Sequence, residues 1–218
     1  MKRIAVLVPV LVVALAAIAA TASADVEIRR IAEQFELSAE HEILLDVPLG
    51  EVRVVAGEPG RVEVEIVVLC GSSSERCRER AEEVRLDHRL RKHSLALDLR
   101  GYSNKLLNRP SVEVLLTMPA ANALEVELGV GEIQIEDLAG DLEVELGVGE
   151  VDVFASEAVV GTVRLSVGVG EANLYPRRRS QSDSGFLFLG NEVVWDEGPG
   201  TAYLVVDVGV GEVNVTLE

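Results

Sequence analysis

Five glutamates recur behind a glycine-valine-glycine or a close variant of it, and a carboxylate repeated at near-fixed spacing is the feature of this chain best suited to chemistry. They are Glu132 (LEVELGVGEIQI), Glu150 (LEVELGVGEVDV), Glu171 (VRLSVGVGEANL), Glu192 (FLFLGNEVVW) and Glu212 (LVVDVGVGEVNV), spaced 18, 21, 21 and 20 residues apart. Carboxylates that converge can hold a divalent cation or shuttle protons, whereas carboxylates stacked in a column make an anionic track. The neighbouring glycines do not point to a known ligand. A dinucleotide fingerprint needs a third glycine and a following helix, and Gly129-Val130-Gly131-Glu132-Ile133-Gln134 has neither. The calcium-binding nonapeptide G-G-x-G-x-D-x-U-x also differs, since the period here is about twenty and the acid follows glycine directly. His41, His88 and His93 stand without a nucleophile or metal partner at a readable distance and read as surface or turn residues. No catalytic, metal or cofactor-binding residue is assigned.

The elements that position these glutamates follow from alternation. Leu124, Val126, Leu128 and Val130 share one parity, and Ile133 and Ile135 share the other. The same switch occurs from Leu142, Val144, Leu146 and Val148 to Val151 and Val153, and from Leu204, Val206, Val208 and Val210 to Val213 and Val215. A strand with period two cannot change parity and keep its apolar side inward without a bulge or corner. The glycine pairs Gly129 and Gly131, Gly147 and Gly149, Gly168 and Gly170, and Gly209 and Gly211 supply that corner, with Asn191 standing for the second glycine in the Glu192 copy. A degenerate sixth copy, LLDVPLGEVRV, surrounds Glu51. A period near twenty predicts a stack in which each strand-corner-strand unit covers its neighbour, with the five glutamates in one column. Like charges about 4.8 Å apart repel. Backbone amides of the corner, solvation, or a bound cation or arginine-bearing partner are the candidate reliefs.

Ahead of the array, Lys2 and Arg3 precede an uncharged apolar run from Ile4 to Ala20 and an Ala22-Ser23-Ala24 site. This predicts a secretory signal peptide over 1–24, with an uncleaved anchor as the alternative, and a single domain over 25–218 divided into N-terminal strands plus helix (25–119) and the repeat array (120–218). Losing Lys2 and Arg3 takes the formal net charge from −17 to −19. Such a surface repels nucleic acid and anionic membrane. Export would favour pairing of the only cysteines, Cys70 and Cys77, over free thiols or half of a metal site.

Ser72-x-x-Glu75 reads as a capping box, which places a short helix from about Ser74 to Glu83. Val84 and Leu86, then Leu95, Leu97 and Leu99, predict a strand pair turning near Arg89 to His93, and Val112 to Met118 another strand stopped by Pro119. YPRRRSQSDSG, 175–185, carries Arg177-Arg178-Arg179 in an otherwise acidic array, either as a docking loop for an anionic partner or as local neutralisation. Asn214-Val215-Thr216 fits a glycosylation sequon but falls on a strand.

Alternating strands, an AEEV helix, a strand pair, a VEVLLTMPA segment and repeated G-V-G-E-[IV]-x-[IV] units resemble, in that order, the bacterial putative-adhesin domain of unknown function, also called the toastrack domain. The resemblance runs from about Glu42 to Glu218. It implies a right-handed parallel β-helix-like array, exported to the periplasm or displayed outside the cell, without catalytic residues to carry over. The expected partner is a protein or surface glycan of the envelope, bound without enzymatic turnover. The alternatives are an accessory or sensor subunit of an envelope stress system and a polysaccharide-acting enzyme. The enzyme is disfavoured because the acids recur along strands instead of clustering in one loop.

Overall fold

The computed structural model describes residues 25–71, 74–101, 110–177 and 191–218; the predicted signal segment and residues 178–190 lie outside them. In chain order the elements are β1 (Asp25–Glu36), β2 (Glu42–Gly57), β3 (Arg61–Gly71), α1 (Glu75–Glu83), β4 (Arg85–Leu90), β5 (Ser94–Arg100), β6 (Ser111–Pro119), β7 (Leu124–Leu138), β8 (Leu142–Ala155), β9 (Val160–Tyr175), β10 (Asn191–Trp195) and β11 (Ala202–Leu217). Among the described residues the fold is all-β with one short helix. Its strands form a single sheet in the order β1-β3-β6-β2-β7-β8-β11-β9-β10, with β5 and β4 branching from β2.

The long strands β2, β7, β8, β11 and β9 are parallel neighbours in register, so that Glu51, Glu132, Glu150, Glu212 and Glu171 are successive partners. A strand of fifteen residues such as β7 would reach about 50 Å if straight. Only three residues separate its end at Leu138 from the start of β8 at Leu142, which pairs with its beginning at Leu124. The strand must therefore fold back on itself at the glycines. Its two arms then face each other, and Leu124, Val126 and Leu128 are buried together with Ile133 and Ile135. Repetition of that packing through β8, β9, β11 and β2 makes one continuous core.

Three expectations change. Consecutive copies do not stack in chain order, because β11 lies between β8 and β9. The Glu192 copy does not join the column: β10 runs antiparallel to β9, and Glu192 faces Ser166. The reason is steric. A Cβ on Gly149 would overlap the carbonyl oxygen of Gly131, and one on Gly211 that of Gly149, so a residue with a side chain has no place in this row. Third, parity turns earlier than the sequence suggests. Val130, Val148, Val169 and Val210 are 44%, 46%, 45% and 46% exposed, because pairing breaks at the first glycine of each corner and the inward run ends one residue before it.

At the N-terminal side, β3 joins β6, β1 edges β3, and α1 packs on both. Cys70 at the end of β3 is disulfide-bonded to Cys77 in α1, with Cα atoms 5.9 Å apart. Ser72 lies outside the described residues, and the helix cap is Ser74, whose side chain accepts a hydrogen bond from the Cys77 amide. The β4–β5 hairpin and β6 fall where the alternation places them. No helix of the described residues is long and apolar enough to cross a membrane.

Candidate functional site

Parallel, in-register pairing turns each repeated residue into a ladder running across the stack. Two positions beyond the glutamates, Arg53, Gln134, Asp152, Asn214 and Asn173 form a second polar ladder beside the first. The two are cross-linked. Asn214 donates from Nδ2 to Asp152 at 3.2 Å and to Glu150 at 3.5 Å, while Asn173 donates to the Asn214 side-chain oxygen at 3.1 Å and to Glu212 at 3.3 Å. Arg53 and Gln134 both reach Glu136, each at 2.9 Å. Relief of the glutamate column thus comes in part from side-chain amides of neighbouring strands, a source the sequence reading did not weigh. The signal for it was present in the asparagines of GEANL and GEVNV, but only the strand order shows which carboxylate each amide meets.

The β2, β7 and β8 members of these ladders line one wall of an open groove of about 730 Å³ on the outer face of the second arms. Val55, Val67 and Leu115 give it an apolar floor, and Glu51, Glu113, Glu132 and Glu150 line it with acids. Arg30, at its far side, is already paired with Glu27 at 2.7 Å and with Glu65. Among the described residues, no lysine or arginine lies within salt-bridge distance of Glu51, Glu132, Glu150, Glu212 or Glu171. The first arms carry a parallel acidic ladder, Asp46, Glu127, Glu145 and Asp207. Beside it Glu125 has its carboxyl pKa raised, first by burial and then by Glu143, Glu42, Glu127 and Glu145.

The structure places the remaining candidates outside this groove. His88 contacts Glu33 at 2.8 Å and packs edge-on against Phe35, and His41 bonds Ser38 at 2.8 Å. His93 sits in the β4–β5 turn, where its carbonyl accepts from the Glu42 amide. The Arg177 amide donates to Glu157 at 2.9 Å, and Arg178 and Arg179 lie outside the described residues. Among the described residues no three carboxylate, imidazole or thiol groups are grouped to hold a metal ion.

The carboxylates nevertheless feel one another. The pKa of Glu150 is raised, first by Asp152, then by burial, Glu212 and Glu132. A raised carboxyl pKa means that folding is favoured with the proton on, and that this contribution is lost as pH rises through the folded-state value. At neutral pH the ionised Glu150 therefore opposes folding. Glu150→Gln keeps an acceptor for Asn214, so it is expected to raise the melting temperature at pH 7 in low salt. The gain, below about 1 kcal/mol for an exposed pair, should shrink in high salt and vanish in acid. Thermal melts at two ionic strengths check this, and a variant less stable than the parent at low salt would show that Glu150 is held by a favourable partner.

No protein-family model matches the chain, and none of the curated proteins matches it in sequence. Solved structures do. A putative cell adhesion protein from Clostridium sporogenes ATCC 15579 aligns over 87% of this chain and 100% of its own, at 13% identity and a TM-score of 0.54. The two share a fold. A putative adhesin from Parabacteroides merdae ATCC 43184, 11% identical over 86% of this chain and 81% of its own, has a TM-score of 0.33, too low to bear on the argument.

Proposed function

We propose that this chain is an exported, noncatalytic binding protein of the bacterial envelope, adhesin-like or a scaffold, that holds a cationic partner on its carboxylate ladders. The observation that carries the reading is the row Glu51, Glu132, Glu150, Glu212 and Glu171, held in register by parallel strands that are paired on both sides at every member but Glu171. A sheet fixes the spacing of such a row, so a partner meets carboxylates on an already ordered backbone, and little loop entropy is lost on binding. A surface with this net charge also steers cationic groups toward it over a distance set by salt. The apolar floor at Leu115 and Val67 adds contact area beneath the charges. The name of the fold-sharing Clostridium protein, a putative cell adhesion protein, supports the same reading.

The test is retention of the purified chain from residue 25 onward on its own organism's envelope fraction across a salt series. Retention that falls steeply with salt is expected. Retention that is absent at low salt, or indifferent to salt, would overturn the electrostatic reading.

A further inference from the structure

The corner itself is a ridge. Leu49, Val130, Val148, Val210 and Val169 are successive partners across five strands, and the four valines are close to half exposed. The row extends about 19 Å at the usual strand spacing. On one side it is bounded by Gly129, Gly147, Gly209 and Gly168, on the other by Gly131, Gly149, Gly211 and Gly170, so the surface drops away along both flanks. Beyond the first trough stands the ladder Asp46, Glu127, Glu145 and Asp207; beyond the second stands the glutamate column. The cross-section reads acid, trough, apolar ridge, trough, acid. The valines are not members of the buried core. β-branched residues suit any strand, yet a ridge this exposed gains nothing in solubility from being apolar.

The charge pattern states what would cover it. A second copy of the chain would bring its own acid ladders against these, and an anionic lipid surface would be repelled. A partner with a narrow apolar stripe flanked on both sides by lysine or arginine fits both features, because its basic side chains can lay their stems in the glycine troughs and reach the carboxylates. Spacing selects its conformation. Apolar residues on one face of a helix recur about every 5.4 Å, near the strand repeat of about 4.8 Å, whereas same-face residues of an extended peptide recur at about 6.8 Å. Resting on the cationic-partner reading above, we infer that the valine ridge docks a basic amphipathic helix of a partner protein, with its apolar stripe along Val130, Val148 and Val210.

The probe is a labelled amphipathic peptide of about eighteen residues, five helical turns, with leucines on one stripe and lysines on both flanks, compared with a scrambled isomer of equal charge. Fluorescence anisotropy with the chain from residue 25 onward should show the amphipathic peptide binding at least about ten-fold tighter than the scrambled one. The triple substitution Val130→Thr, Val148→Thr and Val210→Thr, nearly isosteric at half-exposed sites, should remove that preference while the melting temperature stays near that of the parent. Glu132→Gln with Glu150→Gln and Glu212→Gln should weaken both peptides. Equal binding of the two peptides by the parent, or an unchanged preference in the threonine variant, overturns the ridge inference. If the glutamine variant still loses affinity, the carboxylate reading survives that failure; if neither variant loses affinity, both readings fall.

Discussion

Gly149→Val is expected to cost at least about 3 kcal/mol and to leave a chain that no longer unfolds in a single sharp transition. Two effects add. Gly149 has φ +146°, a backbone conformation that a β-branched residue resists at a cost of about 1 to 3 kcal/mol. Its new Cβ would also overlap the carbonyl oxygen of Gly131, which belongs to a paired backbone and cannot swing aside. Because Gly211 stands in the same relation to Gly149, a shift at one corner would propagate to the next strand. Urea unfolding of Gly149→Val beside Val148→Thr separates the causes, since the threonine lies on the same corner but points outward. A valine variant as stable as its parent would mean that the arms are not folded back at this residue.

Loss of the disulfide should have the next largest effect. Replacing Cys70 and Cys77 with alanine opens a loop closed by a sequence separation of 7, and loop-closure entropy assigns it about 2 to 3 kcal/mol. The structural consequence should be local first. Helix α1 has nine residues, too few to persist alone in water, and only Cys77 and Ala81 of it are buried. Hydrogen exchange in 75–83 should therefore accelerate well before the parallel array loses protection. If the alanine variant protects α1 as well as the parent does, packing on β1 and β3 holds the helix without the covalent bond.

How much of this was legible in the sequence depends on whether a residue is constrained by its own strand or by its neighbours. The strand-corner-strand unit was readable, because Leu124, Val126 and Leu128 against Ile133 and Ile135 leave a parity that only a corner reconciles. The β4–β5 hairpin and the end of β6 at Pro119 were readable for the same local reason, and the paired cysteines because the chain has only two of them behind a predicted export signal. The outward turn of Val130 was not. By parity it continues the inward run, and only the interruption of pairing at Gly129 rotates it to the surface. Strand order was also hidden. Copies as alike as LEVELGVGE at 124 and at 142 satisfy parallel register in any sequence of neighbours, so nothing local places β11 between β8 and β9. The departure of the Glu192 copy was half visible, since Asn191 stood where every full corner has glycine. Its tolerance of positive φ concealed the stronger requirement that no Cβ fits against the adjacent carbonyl. In the site, the acids were evident from their period, while the amide ladder of Asn214 and Asn173 emerged only from the strand order that brings them beside Asp152, Glu150 and Glu212.

The central claim is that the position of the carboxylates in the ladder, and not the acidity of the surface as a whole, carries binding. The most direct measurement compares two variants with the same change of charge on the envelope fraction at one ionic strength. One carries Glu132→Gln, Glu150→Gln and Glu212→Gln in the ladder. The other carries Glu40→Gln, Glu79→Gln and Glu197→Gln at exposed sites away from it. The ladder variant is predicted to lose most of its retention while the second stays close to the parent. Equal losses in the two variants, or no loss in the ladder variant, would contradict the account.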